Sequence, residues 1–186
     1  MTTYEIPRPV SGDIVNLILD DHRLMEDLLR QMRGDVAERD TARLAFAELH
    51  VAHARAEEEL VLPRLRRRRA ITAHEQEHGE EEHAEGHQEL LALMQCVGTD
   101  TNKYDEAVEA LSSVVYHHLC EEELDVLSSA REEIPERTRG EMGEKWAARR
   151  NELLAAGCGS IEDLKRIVAA AEKQGLLDDE DSEGDD

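Results

Sequence analysis

Aromatic residues are scarce: one Trp, one Phe and three Tyr in 186 residues, 3% of the chain. Sheet cores draw on aromatic and β-branched residues, whereas Leu, Ala, Glu and Arg dominate here, so a strand-rich fold is excluded and an all-α protein is expected. Cysteine occurs three times, at 96, 120 and 158, odd in number and without CxxC spacing. That excludes a disulfide framework and a zinc ribbon, and the thiols read as reduced fillers of core or surface. No stretch approaches the roughly 18 apolar residues of a membrane span. The start, Met1-Thr-Thr-Tyr-Glu-Ile-Pro7, lacks the basic, apolar and small-residue segments of a secretory signal, so a cytoplasmic location is expected. Basic charge is short as well: 22 Lys plus Arg against 44 Asp plus Glu leave a net charge of −22. Such a field repels nucleic acid and anionic membranes and attracts cations.

What is present is helical periodicity, in a length suited to one domain. Pro7 and Pro9 mark an extended entry. Ser11-Gly-Asp13 offers a cap for a first helix whose stripe is Ile18, Met25, Leu29 and Met32, with His22 where a hydrophobe is expected; Gly34 stops it. A second helix is expected from near Asp40 or Thr41 to about Arg69, with Phe46, Leu49, Leu60 and Arg64 on the stripe of His53 and Glu57, and with a kink or early end at Pro63. A third spans about His74 to Val97 with stripe His83, His87, Leu90, Met94 and Val97. A fourth spans about Tyr104 to Glu132 with stripe Val108, Leu111, Val115, His118, Glu122 and Val126. Short connections between helices of similar length predict an antiparallel, up-down-up-down four-helix bundle in which the mid-stripe histidines meet at one height. Beyond Pro135, two short helices, about Glu141 to Ala156 and Ser160 to Gln174, are expected to pack on the bundle or on a second copy, as a homodimer. The expected organisation is an arm (1–11), a four-helix domain (12–134), a helical extension (135–177) and a disordered acidic tail (178–186).

Residues i and i+4 share one helix face, so His53 with Glu57, His83 with His87, and His118 with Glu122 each aim two donors at one point, and His22 adds a seventh. Each such group buried without a partner costs about 2 kcal/mol or more, and an ionised carboxylate costs more. A bound metal removes that cost. Imidazole and carboxylate without thiolate suit iron or manganese better than structural zinc. Two carboxylates can each bridge two metals, leaving five imidazoles to divide as three and two. The other histidines read differently: His74 and His78 lie on the opposite side of their helix, His117 is peripheral, and His50 is a candidate hydrogen-bond partner of the site. Met25, Met32 and Met94 read as core, and Arg66 to Arg69 as a solvated helix end.

The constellation His22, His53-x3-Glu57, His83-x3-His87, His118-x3-Glu122 resembles the ligand order of the hemerythrin-like family, the HHE cation-binding domain. The segments Asp20-Asp-His22-Arg, His53-Ala-Arg-Ala-Glu57-Glu-Glu-Leu-Val-Leu-Pro63 and Glu81-Glu-His83-Ala-Glu resemble its first three helices, and the resemblance covers about residues 12 to 132. It implies two non-haem iron ions in an oxo- or hydroxo-bridged centre within a four-helix bundle. Two features depart from the family pattern. The last carboxylate of invertebrate oxygen carriers is an Asp at longer spacing, here Glu122 at i+4, and the usual Phe-Pro ending the fourth helix is replaced by Asp125-Val-Leu-Ser128. Many bacterial relatives lack a counterpart of His87. The implied function is binding of, or reaction with, O2, H2O2 or NO at an open iron position, as an oxygen binder or sensor or in oxidative or nitrosative defence. Alternatives are a catalase-like enzyme, an iron-responsive interaction protein, and a bundle holding only structural zinc; whether the centre turns over is left open by the sequence.

Overall fold

The computed structural model describes residues 4–177; the acidic tail expected over 178–186 lies outside the described residues. Eight α-helices, and no strand among the described residues, meet the all-α expectation. α1 (Ile14–Met32) begins where expected, with the Asp13 carboxylate accepting from Val15 N at 3.0 Å. Ile18, His22, Met25, Leu29 and Met32 are all buried.

α2 (Val36–Leu60) starts earlier than its apolar stripe predicts. Asp35 caps it by accepting from Ala37 N, and residues 36–38 of its first turn are exposed and outside the apolar stripe. The interruption expected at Pro63 is real: α2 ends at Leu60, and α3 (Leu62–Arg67) resumes with the proline in its first turn. α4 (Ala73–Met94) opens with a full capping box in which Thr72 Oγ accepts from Glu75 N and Glu75 returns a carboxylate oxygen to Thr72 N. It ends at Met94, and Val97, expected on its stripe, is 93% exposed. The fourth expected helix is two, α5 (Asn102–Leu124) and α6 (Val126–Glu133), bent at Asp125. α7 (Glu136–Ala156) is longer than expected because it starts directly after Pro135; α8 (Ile161–Gln174) begins as its Ser160 cap predicts.

α1 packs on α2, α2 on α4, α4 on α5 and α5 on α1, closing a four-membered ring, with α7 laid across α1 and α2 and α8 against α4. The extension therefore packs on the bundle. α7 comes close enough that a Cβ at Gly143 would lie 2.0 Å from Gly12 O. Apolar burial falls into two clusters. One holds Met25, Leu29, Phe46, Leu49, Leu90 and Leu111; the other holds Ile14, Ile18, Leu62, Val126 and Trp146. In sequence, His22 on α1, His53 on α2 and Glu122 on α5 lie between residues of the two clusters. No described helix is long and apolar enough to cross a membrane.

Candidate metal centre

All seven residues singled out from the sequence are buried, none more than 5% exposed. Two carboxylates organise six of them. Glu57 Oε2 lies 3.4 Å from His53 Nε2 on its own helix and 3.5 Å from His83 Nε2 on α4. Glu122 Oε2 lies 3.6 Å from His118 Nε2 on its own helix and 3.1 Å from His22 Nε2 on α1. The His22 and His53 rings are 5.3 Å apart between centroids, and those of His83 and His118 are 4.6 Å apart. Donor atoms of His22, His53 and Glu122 all fall within 4.8 Å of one another. His87 is placed by other contacts, with its ring edge on His50 at 4.9 Å. It also lines a cavity of about 310 Å³ between α2, α4 and α8, with Arg55, Glu58, Ala84 and Arg166.

A second tier of carboxylates holds the rings. His53 Nδ1 donates to Asp21 (3.1 Å), His83 Nδ1 to Glu58 (3.0 Å), His118 Nδ1 to Glu82 (2.8 Å) and His22 Nδ1 to Glu123 (2.9 Å). Around the bundle, each helix passes one acid to a histidine of the next: α1 to α2, α2 to α4, α4 to α5, and α5 back to α1. Each acid is the sequence neighbour of an inward-pointing residue, in Asp21-His22, Glu57-Glu58, Glu82-His83 and Glu122-Glu123. One residue along a helix turns the side chain by about 100°, from the core toward the adjacent helix. Sequence reasoning missed these four acids, although the dipeptides carried the signal.

With the Nδ1 protons of His22, His53, His83 and His118 directed outward, the inner atoms are left without hydrogen-bond partners. The Nε2 atoms of His22, His53, His83, His87 and His118, both Glu57 oxygens and Glu122 Oε2 are buried without a hydrogen-bond partner. Each such atom costs about 1–3 kcal/mol, and a folded protein retains so many only where something else meets them. The donor set fits a cation. Its electrostatics agree: burial alone would lower His22 and His83, but the approach of Glu122 and Glu123 to the first, and of Glu57 and Glu58 to the second, pushes both up to about 10. Glu122, despite a burial that opposes ionisation, is held well below the usual carboxylate range by His22. Where no carboxylate comes so close, burial wins, and His87 falls to about 4.

α7 contributes two residues that the sequence did not flag. Arg150, fully buried, donates from Nε and Nη2 to the two oxygens of Asp21, each at 2.6 Å, and from Nη1 to Pro7 O at 3.0 Å. The chain Arg150–Asp21–His53 thus ties α7 to the centre. Trp146 sets its ring face-to-edge against His53 at 5.6 Å. His50 is buried, stacked on Phe46, and pressed by Gly86, where a Cβ would lie 2.9 Å from His50 Nε2. Burial holds it well below the usual imidazole range, and its Nδ1 has no partner, so the hydrogen bond to the site considered for it is replaced by ring packing against His87. His74, His78 and His117 are solvent-facing as expected, but His78 and His117 both approach Glu82 and Glu121. Cys120 is exposed, and Cys96 and Cys158 are buried free thiols.

Compared with known proteins, residues 13–130 match the family model described as the hemerythrin HHE cation binding domain. No curated protein and no solved structure matches the chain.

Proposed function

Because the chain belongs to the hemerythrin HHE cation-binding domain family, we propose that it is a non-haem di-iron protein whose centre binds or reacts with a small oxidant ligand, O2, H2O2 or NO. The observation that carries this reading is the convergence of four imidazole Nε2 atoms, those of His22, His53, His83 and His118, on the carboxylates of Glu57 and Glu122, each imidazole backed by its own outer acid. His22, His53, Glu57, His83, His87, His118 and Glu122 would hold the two ions, with Glu57 and Glu122 shared, since each approaches imidazoles of two helices. Iron bound there supplies a Lewis acid and a redox partner to a diatomic or peroxide ligand.

The chain's own part is to orient, exclude and admit. The four outer carboxylates hold each ring in place with its Nε2 toward the core, and on His22 and His83 a bound cation would take the place of the proton that the nearby carboxylates favour. The two apolar clusters limit water from both ends, and no general base is required of the protein. The cavity beside His87 supports ligand approach beneath α8. If His87 is a ligand, the three-and-two division of imidazoles favours reversible binding; if it is not, the added open position favours turnover such as peroxide disproportionation.

The alternation of offsets supports up-down-up-down topology. The acids precede the inward residue on α1 and α4 and follow it on α2 and α5, and these steps turn the same way around the bundle only if neighbours are antiparallel. Cross-links agree: Arg33 near the end of α1 pairs with Glu109 early in α5, whereas His22 meets Glu123 at that helix's end. On this reading the four-helix domain spans 12–134, the arm 1–11 and the extension 135–177 brace it, and 178–186 is an acidic tail in a cytoplasmic protein. A regulatory role draws support from Arg150, which links α7 to His53 through Asp21; loosening of α7 in hydrogen exchange when iron is removed would reveal it.

The test is metal content and optical spectrum of aerobically purified protein, followed through dithionite reduction and exposure to O2, NO and H2O2. About two irons per chain with near-ultraviolet oxo-bridge bands are expected. A persistent oxygenated band identifies a binder, and rapid gas evolution from peroxide identifies an enzyme. Zinc alone, or no metal, would overturn the reading.

A further inference from the structure

Glu82 faces two ways. One of its oxygens accepts from His118 Nδ1 at 2.8 Å; the other, Oε1, is buried and has no hydrogen-bond partner, in a residue only 9% exposed. That bare oxygen points at a group of side chains outside the centre. His78 Nε2 and His117 Nε2 each lie 3.7 Å from it. Glu121 completes the group, with Oε2 3.1 Å from His78 Nε2 and Oε1 3.3 Å from His117 Nε2. The donor atoms of His78, Glu82 and Glu121 all fall within 4.8 Å of one another.

Spacing explains how they meet. His78 and Glu82 are one turn apart on α4, and His117 and Glu121 are one turn apart on α5, so two i, i+4 pairs on adjacent helices face each other. Ordinary surface ion pairing accounts for His78 with Glu121 and for His117 with Glu121. It does not account for a buried, bare carboxylate oxygen at their focus. A cavity of about 50 Å³ runs behind the group, lined by His78, Glu82 and Glu121 on one side and by Glu57, His83 and Glu122 on the other. It has room for about one or two waters, enough for a partly dehydrated cation and too little for an organic ligand.

We propose that His78, Glu82, Glu121 and His117 form an outer site for a divalent first-row transition metal, and that this site stages the cation on its way to the inner donors. Two imidazoles and two carboxylates suit Fe²⁺, Co²⁺ or Zn²⁺. The site is more exposed than the inner one, with His78 and His117 side chains 46% and 63% accessible, so it exchanges cations with solvent readily. The net charge of −22 concentrates cations at the surface. Glu82 would then touch both sites, through Oε1 on the outer cation and through His118 on the inner one. The staging role rests on the inner centre being a metal site; the outer site itself does not.

The test uses metal-free, full-length protein with Co²⁺ and Zn²⁺, in wild type, His78→Ala/Glu121→Gln and Glu122→Ala. Glu82 is left intact because it also holds His118. Competition with a chromophoric chelator gives the number of ions bound, and stopped-flow Co²⁺ absorption gives the filling rate of the inner site; far-ultraviolet circular dichroism checks folding. Wild type should bind one more ion than His78→Ala/Glu121→Gln, which should reach the same inner occupancy at least 10-fold more slowly. Glu122→Ala should keep the weaker, outer ion. Equal stoichiometry in wild type and His78→Ala/Glu121→Gln overturns the site, and an extra ion with unchanged filling rate overturns its staging role. Failure of the inner-centre reading would show separately, as full stoichiometry in Glu122→Ala.

Discussion

Replacing Arg150 with Met leaves the Asp21 carboxylate, 5% exposed, with the His53 Nδ1 proton as its remaining hydrogen bond. Two hydrogen bonds of 2.6 Å disappear, together with the bond from Nη1 to Pro7 O that fastens the arm. Breaking a buried pair by removing one partner costs about 3–5 kcal/mol, because the other charge stays buried and uncompensated. Methionine keeps much of the apolar volume beside Trp146, so the loss is chiefly electrostatic. In a protein of this size, about 4 kcal/mol corresponds to a fall in Tm of about 8–16 °C, against a total stability of about 5–15 kcal/mol. The assay is thermal and urea unfolding of the metal-free protein, read by the emission of Trp146, the one tryptophan, which is fully buried. Adding Asp21→Asn to Arg150→Met removes the stranded charge while retaining an acceptor for His53, and should recover about half the loss. A shift below about 1 kcal/mol in the single variant, or no recovery in the double, would refute the argument that the pair is a coupled, buried unit.

His118→Ala or Glu122→Ala should lose at least one iron by elemental analysis, whereas exposed His74→Ala should not; two irons retained in both site variants would sink the ligand assignment. Gly143→Ala places a carbon 2.0 Å from Gly12 O unless α7 shifts, so its unfolding free energy should fall by about 1–3 kcal/mol. Among the thiols, exposed Cys120 should react with an aromatic disulfide far faster than buried Cys96 or Cys158. Burial and then Glu48 push the Cys158 thiol up from 9.0 to about 12, favouring the protonated form in the folded chain. That stabilisation is fully present below pH 9 and is lost as pH rises through 12. A Cys158→Ala variant should lack that part of the alkaline decline in unfolding free energy.

The bundle was legible because its stripes are regular. Val108, Leu111, Val115, His118 and Glu122 recur at helical spacing, and all are buried. Boundaries were legible only where apolar periodicity or a cap announced them. The early start of α2 is an exposed turn held by Asp35, and the break at Asp125 involves no proline or glycine, so neither has a hydrophobic signature. At the centre, inward residues stood out because a polar group on an apolar stripe is anomalous. Asp21, Glu58, Glu82 and Glu123 did not, since acids beside a stripe look like solvated surface in a chain with 44 of them. Arg150 lay further out of reach. Its partner is 129 residues away, and nothing local distinguishes a buried arginine from its exposed neighbour Arg149, which pairs with Glu59.

The circuit of acids has an electronic consequence. A carboxylate that accepts the Nδ1 proton draws that proton outward and enriches the opposite nitrogen, which makes the ring a stronger σ-donor. Four rings are treated in this way, and two further carboxylates face inward. Strong donors and surplus negative charge favour the more highly charged member of any metal couple they surround, lowering its midpoint potential. Were iron held there as proposed, this surround would favour its oxidised form, and an external electron donor would be needed to reduce it.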